Sequence, residues 1–121
     1  MDQGIDFTDL VGIEKQLRKA TNALHDMAEN VAKARQVKEF ASERRKNLLA
    51  RFMAPMMSDR SAATAEAVGR ANPDYMLQLK GLENQYLDAE RALAKWDATK
   101  ATFEAARSLL SLGKEQIRQI S

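Results

Sequence analysis

A chain of 121 residues, 45% hydrophobic and 30% charged, with a net charge of +2, has the size and balance of one well-solvated domain. The absence of cysteine excludes disulfides and thiolate metal sites, and no stretch approaches the roughly 20 apolar residues that a membrane span requires. Two prolines and five glycines stand among abundant Ala, Leu, Glu, Lys, Arg and Gln, the residues that lose least side-chain freedom in a helix.

The start, Met1 to Asp6, has neither a basic leader nor an apolar run, so it does not read as a signal peptide and a cytoplasmic location is expected. Asp6 or Thr8 is a suitable N-cap for a first long helix over about residues 8–53, with Asp9 in its first turn. Leu10, Leu17, Leu24 and Val31 repeat every seven positions, interleaved with Ile13, Ala20, Met27, Ala34, Ala41 and Leu48. Such a 3-4 stripe belongs to a helix packed lengthwise on another. Past Val31 one side of the stripe falls to Lys38 and Arg45, while Val37, Ala41, Leu48 and Phe52 continue. If unbroken, the helix is about 68 Å long at 1.5 Å per residue.

Pro55 ends it, because proline restricts the residue before it and offers no N–H. A connector over residues 54–72 follows, in which Ser58 or Ser61 can cap a short helix from Ala62 to Val68, closed by Gly69. Asn72-Pro73-Asp74 then starts a second long helix, over about residues 73–118. Its stripe is Tyr75, Leu79, Leu82, Tyr86, Ala89, Leu93, Trp96, Thr99, Phe103, Ala106, Leu110, Gly113, Ile117 and Ile120. Two steps of three meet at Trp96, which predicts a bend or a change of packing partner there.

The expected fold is therefore all-α: one domain, residues 1–121, in which two long antiparallel helices form a coiled-coil-like hairpin with a short helical connector. Leu49, Met53, Met56, Met57, Leu109 and Leu112 fall off the stripes. A single hairpin seam leaves them uncovered, and self-association into a homo-oligomer would cover them.

Catalytic constellations are missing from the sequence. With one histidine and no cysteine, the usual nitrogen and sulfur metal sets cannot be assembled within one chain. His25 and Glu29, one turn apart, make at most half a site, against the plainer reading of an exposed histidine. No GxSxG, GxGxxG or GxxxxGK[ST] motif occurs. No enzymatic activity, cofactor or metal is expected.

Charge is distributed unevenly. Residues 1–32 carry three bases against six acids, residues 33–60 eight against three, and residues 61–121 eight of each. Within the +5 segment, Arg44 and Arg51 are seven apart and share a helix face, with Lys38 and Arg45 also seven apart beside them and Lys46 adjacent. Lys38, Arg44, Arg45, Lys46 and Arg51 are the candidate nucleic-acid contacts, since such a row can track successive phosphates and release their counterions. A solvated face or salt bridges to the second helix are the alternatives. Trp96, Phe103, Tyr75 and Tyr86 could stack on bases, but all lie on the apolar stripe, which favours core packing. The methionines around Pro55 suit either an adaptable docking surface or filler under the turn.

The stretch Glu43-Arg44-Arg45-Lys46-Asn47-Leu48-Leu49-Ala50-Arg51-Phe52, followed by a polar connector and a long C-terminal helix, resembles the UvsY family of bacteriophage recombination mediators. The segment from Trp96 to the ending Ile117-Arg118-Gln119-Ile120 is similar to that family's closing helix, so the resemblance spans roughly residues 35–121. It implies a ring-like homo-oligomer that binds single-stranded DNA and helps load a recombinase onto strands covered by single-stranded-DNA-binding protein, in a bacterial host cytoplasm. By the same resemblance Arg44 and Arg45 match the basic pair and Arg51 the DNA-contacting arginine. Leu49 stands where the family has a further basic residue, one cation fewer per subunit. The rival expectation is a coiled-coil factor that binds only protein, such as a phage inhibitor of a host or defence protein or an assembly chaperone.

Overall fold

The computed structural model describes residues 7–120, with side-chain environments from Asp9 onward. The start, Met1 to Asp6, with the candidate cap Asp6, therefore falls outside what is described, whereas Thr8 lies inside α1 and is not its N-cap. Among the described residues there is no strand, and the chain is all-α: α1 (Phe7–Glu39), α2 (Ala41–Met53), a 3-10 turn (Ala54–Met56), α3 (Ala62–Ala71) and α4 (Pro73–Ile120). No described helix is long and apolar enough to cross a membrane.

The first long helix is divided at Phe40, whose backbone (φ −98°, ψ 8°) lies in the bridge region between helix and strand. Hydrogen bonds from Phe40 N to Gln36 O and from Arg44 N to Phe40 O, 3.0 and 2.9 Å, carry the helical pattern across the interruption. The division falls where the apolar stripe gives way to Lys38. α2 stops at Met53 and the 3-10 turn takes in Pro55 near its start, as proline's missing N–H dictates.

The connector helix is longer than its sequence suggests. Ser61 caps it, accepting from Thr64 N at 3.3 Å, but Gly69 is an interior residue and not the terminator. Its φ is not positive, so it does not form the left-handed cap that glycine usually supplies. Gly69 is instead buried against α2, where a methyl group added to it would meet Met53 Cγ at 3.5 Å and Leu49 Cδ1 at 3.7 Å. α3 ends at Asn72 (φ −67°, ψ 125°), held extended by the proline that follows. The same Asn72 starts α4, its Oδ1 accepting from Asp74 N at 2.8 Å.

The chain divides into two compact units. One joins residues 7–31 to residues 93–120; the other is residues 32–92. In the first, Leu10, Ala20 and Val31 of α1 and Ala106 and Gly113 of α4 are buried, while Leu17, Leu24, Trp96, Phe103 and Leu110 are half-buried. A single seam between two helical segments permits no more, since each large side chain keeps one edge towards water. In the second, Leu48, Ala65, Gly69, Tyr75 and Ala89 are buried, and Leu48 is the largest side chain sealed from solvent, at 2% exposure. α3 packs on α2 here, with Leu49 and Met53 next to Gly69. α4 runs as one unbroken helix through both units, and the boundary between them falls between Ala92 and Leu93, close to the discontinuity at Trp96.

Candidate nucleic-acid interface

α2 is held by its apolar face. Leu48 is buried, and Ala41, Leu49, Phe52 and Met53 are half-buried. Phe52 meets the buried Tyr75 edge to face, with ring centroids 5.7 Å apart and an interplanar angle of 70°, an arrangement that aligns a ring edge with a ring face. Arg44, Arg45, Lys46 and Arg51 are all exposed, Arg45 from a position on the apolar stripe itself. Among the described residues none of these four makes an ion pair.

Other bases are engaged. Lys38 places Nζ 5.6 Å from the centre of the Tyr86 ring, a cation–π contact that turns this cation towards α4. Arg70 of α3 gives two hydrogen bonds to Glu66 Oε1, at 2.8 and 3.0 Å. That bonding, together with the carboxylate's charge, raises the Arg70 pKa above its already high ordinary value. Of the five bases that the sequence singles out, Arg44 borders one groove with Arg45 and another with Arg51, Lys46 lies about 200° round the helix from Arg44, and Lys38 is set apart on a ring. Leu49, the position where the resembled family has a base, faces Gly69 of α3; here that position is given to packing.

Two adjoining grooves run between this row and the first half of α4. The smaller, about 190 Å³, lies between Val37, Ala41, Arg44 and Arg45 on one side and Leu82, Glu83, Gln85 and Tyr86 on the other. The larger, about 390 Å³, has Arg44, Asn47, Leu48 and Arg51 along one side and Gln78, Gly81, Leu82 and Gln85 along the other. Its lining contains two guanidinium groups, three side-chain amides and no carboxylate. Glu83, beside the smaller groove, is the one acid among the residues that line either groove. The amides and Gly81 escaped sequence reasoning. Gln78 and Gln85 stand seven apart and so share a face, but only knowledge of which face of α4 meets α2 singles them out.

Tyr75, Tyr86, Trp96 and Phe103 are buried or half-buried, consistent with packing as their main task. Met53 and Met56 are half-buried and Met57 is exposed. His25 is exposed, and among the described residues no group of three His, Cys, Asp or Glu side chains is placed to hold a metal ion. Comparison with known protein families, with characterised proteins and with solved structures gives no match to this chain.

Proposed function

We propose that this chain is a non-enzymatic, homo-oligomeric accessory factor that binds single-stranded DNA through the exposed bases of α2. By its resemblance to the UvsY family it would act in phage recombination, in the host cytoplasm, helping to load a recombinase onto strands covered by single-stranded-DNA-binding protein. The observation that carries the reading is the group Arg44, Arg45, Lys46 and Arg51: four exposed cations within eight positions of one helix, with no ion pair to neutralise them among the described residues. Such a row attracts phosphates through counterion release, whatever the base sequence.

The coiled-coil hairpin is part of the same proposal. Lys38 on Tyr86 and Phe52 on Tyr75 support antiparallel pairing within residues 32–92, since the numbers rise on one partner and fall on the other. Self-assembly is supported by apolar side chains of α4 that face solvent, Leu77 at 70% and Leu112 at 52% exposure, because large apolar groups left in water favour association. The same exposed side chains favour a second reading, a coiled-coil factor that binds only protein.

Fluorescence anisotropy with labelled oligo-dT at low and moderate salt separates the two. Binding that weakens steeply with salt is expected, and light scattering should give a mass several times 13.6 kDa. No binding at low salt leaves the protein-only reading; a clean monomer removes the oligomer.

A further inference from the structure

The larger groove beside the basic row repeats one pattern on its two sides. On α2 it is Arg44, Asn47, Leu48, Arg51; on α4 it is Gln78, Gly81, Leu82, Gln85. In each, the outer members stand seven residues apart, about 10.5 Å along a helix, and a leucine lies between them. Leu82, half-buried, gives the groove an apolar patch, and Leu48 is sealed beneath it. One side is cationic and the other carries neutral amides, which both donate and accept hydrogen bonds. Gly81 leaves the α4 side open: a Cβ built there has no atom within 4 Å. Glycine inside a helix costs stability relative to alanine, and here it keeps a gap between the two glutamines.

A face that bound only phosphate would need cations and nothing opposite them. An acid-free channel with amides on the far side and an apolar patch suits a strand that offers bases as well as charge, because flat apolar faces and polar edges then both find partners. We infer that this groove seats bases of the bound single strand, with Arg44 and Arg51 holding its phosphates and Gln78, Gln85 and Asn47 hydrogen-bonding base edges. Unpaired bases can enter it; a duplex keeps those edges paired and stacked. The inference rests on the DNA-binding reading above and adds to it where the bases go.

The test compares labelled oligo-dT with an abasic strand of equal length and charge, using the full-length chain. Wild type should bind oligo-dT about tenfold more tightly, equivalent to about 1.4 kcal/mol. Gln78→Ala with Gln85→Ala should abolish that preference while leaving affinity for the abasic strand unchanged. Gly81→Leu, which fills open space and removes a helix-weakening glycine, should keep or raise helicity and also lose the preference. Equal wild-type affinity for the two strands, or a preference that survives in both variants, overturns base seating and leaves phosphate binding standing. Failure of wild type to bind either strand at low salt overturns the DNA-binding reading itself.

Discussion

Residues 32–92 carry eleven bases against eight acids, whereas the rest of the chain carries eight against nine. The unit that joins the two ends of the chain also has a cluster of cations, Lys15, Arg18 and Lys19, all exposed, but they share their surface depression with Asp26, and Glu14 adjoins them in sequence. Neither cluster has an ion pair among the described residues, and Glu43 and Glu83 stand near Arg44 much as Glu14 and Asp26 stand near the other; the α2 bases differ in that Arg44 and Arg51 border a larger groove lined without carboxylates. Packing underlies the contrast. In residues 32–92, α3 covers part of α2 and Leu48 is sealed, so the outer face of α2 can be given to charge at little cost to folding. The other unit has one seam, whose buried residues are Leu10, Ala20, Val31, Ala106 and Gly113. A count of bases alone does not identify an interface; what matters is whether acids oppose them and what lies between.

Removing the bases gives the largest expected difference. Arg44→Ala, Arg45→Ala and Arg51→Ala together should weaken oligo-dT binding at low salt by about a hundredfold or more. The slope of log affinity against log salt should become shallower by about 2, because three fewer phosphates of a single strand are neutralised. Circular dichroism and light scattering should be unchanged, since exposed charges contribute little to folding. The matched triple change Lys15→Ala, Arg18→Ala and Lys19→Ala should barely alter affinity; equal losses from the two sets would erase the distinction between the units.

Stability sharpens it next. Leu48→Ala should lower stability by about 3 kcal/mol, as a sealed leucine replaced by a cavity does, and Trp96→Ala by about 2 kcal/mol, because its ring is only half-buried. Denaturant titration of the two variants reads both values. A Trp96 loss larger than that of Leu48 would mean that the single seam is the tighter core, the reverse of the burial pattern.

The smallest effect concerns Glu83, the acid beside Arg44 and Arg45. Glu83→Gln should tighten oligo-dT binding by about two- to threefold at low salt and by less as salt rises, since it removes one repulsive charge near the strand. Unchanged affinity at low salt would place the strand's path away from the smaller groove.

Much of this was legible in the sequence because a lengthwise seam imposes a strict period. Of the stripe residues, those from Leu10 to Leu48 and from Tyr75 to Gly113 are buried or half-buried, the charged interlopers Lys38 and Arg45 apart. Backbone detail was less legible. The interruption at Phe40 leaves the side-chain period almost intact, so periodicity cannot reveal it. Gly69 looks like a helix end because glycine often supplies a left-handed cap, whereas here its lack of a side chain allows α2 to approach. The shared face of Arg44 and Arg51 followed from their spacing of seven, but that no acid of the second helix pairs with them among the described residues did not. The amide side of the groove did not, since pairing one face of α4 with one face of α2 is a tertiary fact that neither helix encodes by itself.

The division of the chain into units also bears on how it folds. Residues 32–92 are contiguous and include the connector, so their contacts close short loops, beginning where Asn72 joins α3 to α4 with no other residue between. The other unit must bring together segments whose nearest members, Val31 and Leu93, are about 60 positions apart, and its loop-closure entropy is correspondingly greater. Once residues 32–92 have formed, that distance is already spanned by folded chain and much of the entropy has been spent. Loop-closure entropy alone therefore makes it cheaper for residues 32–92 to form first and for the joined ends of the chain to follow.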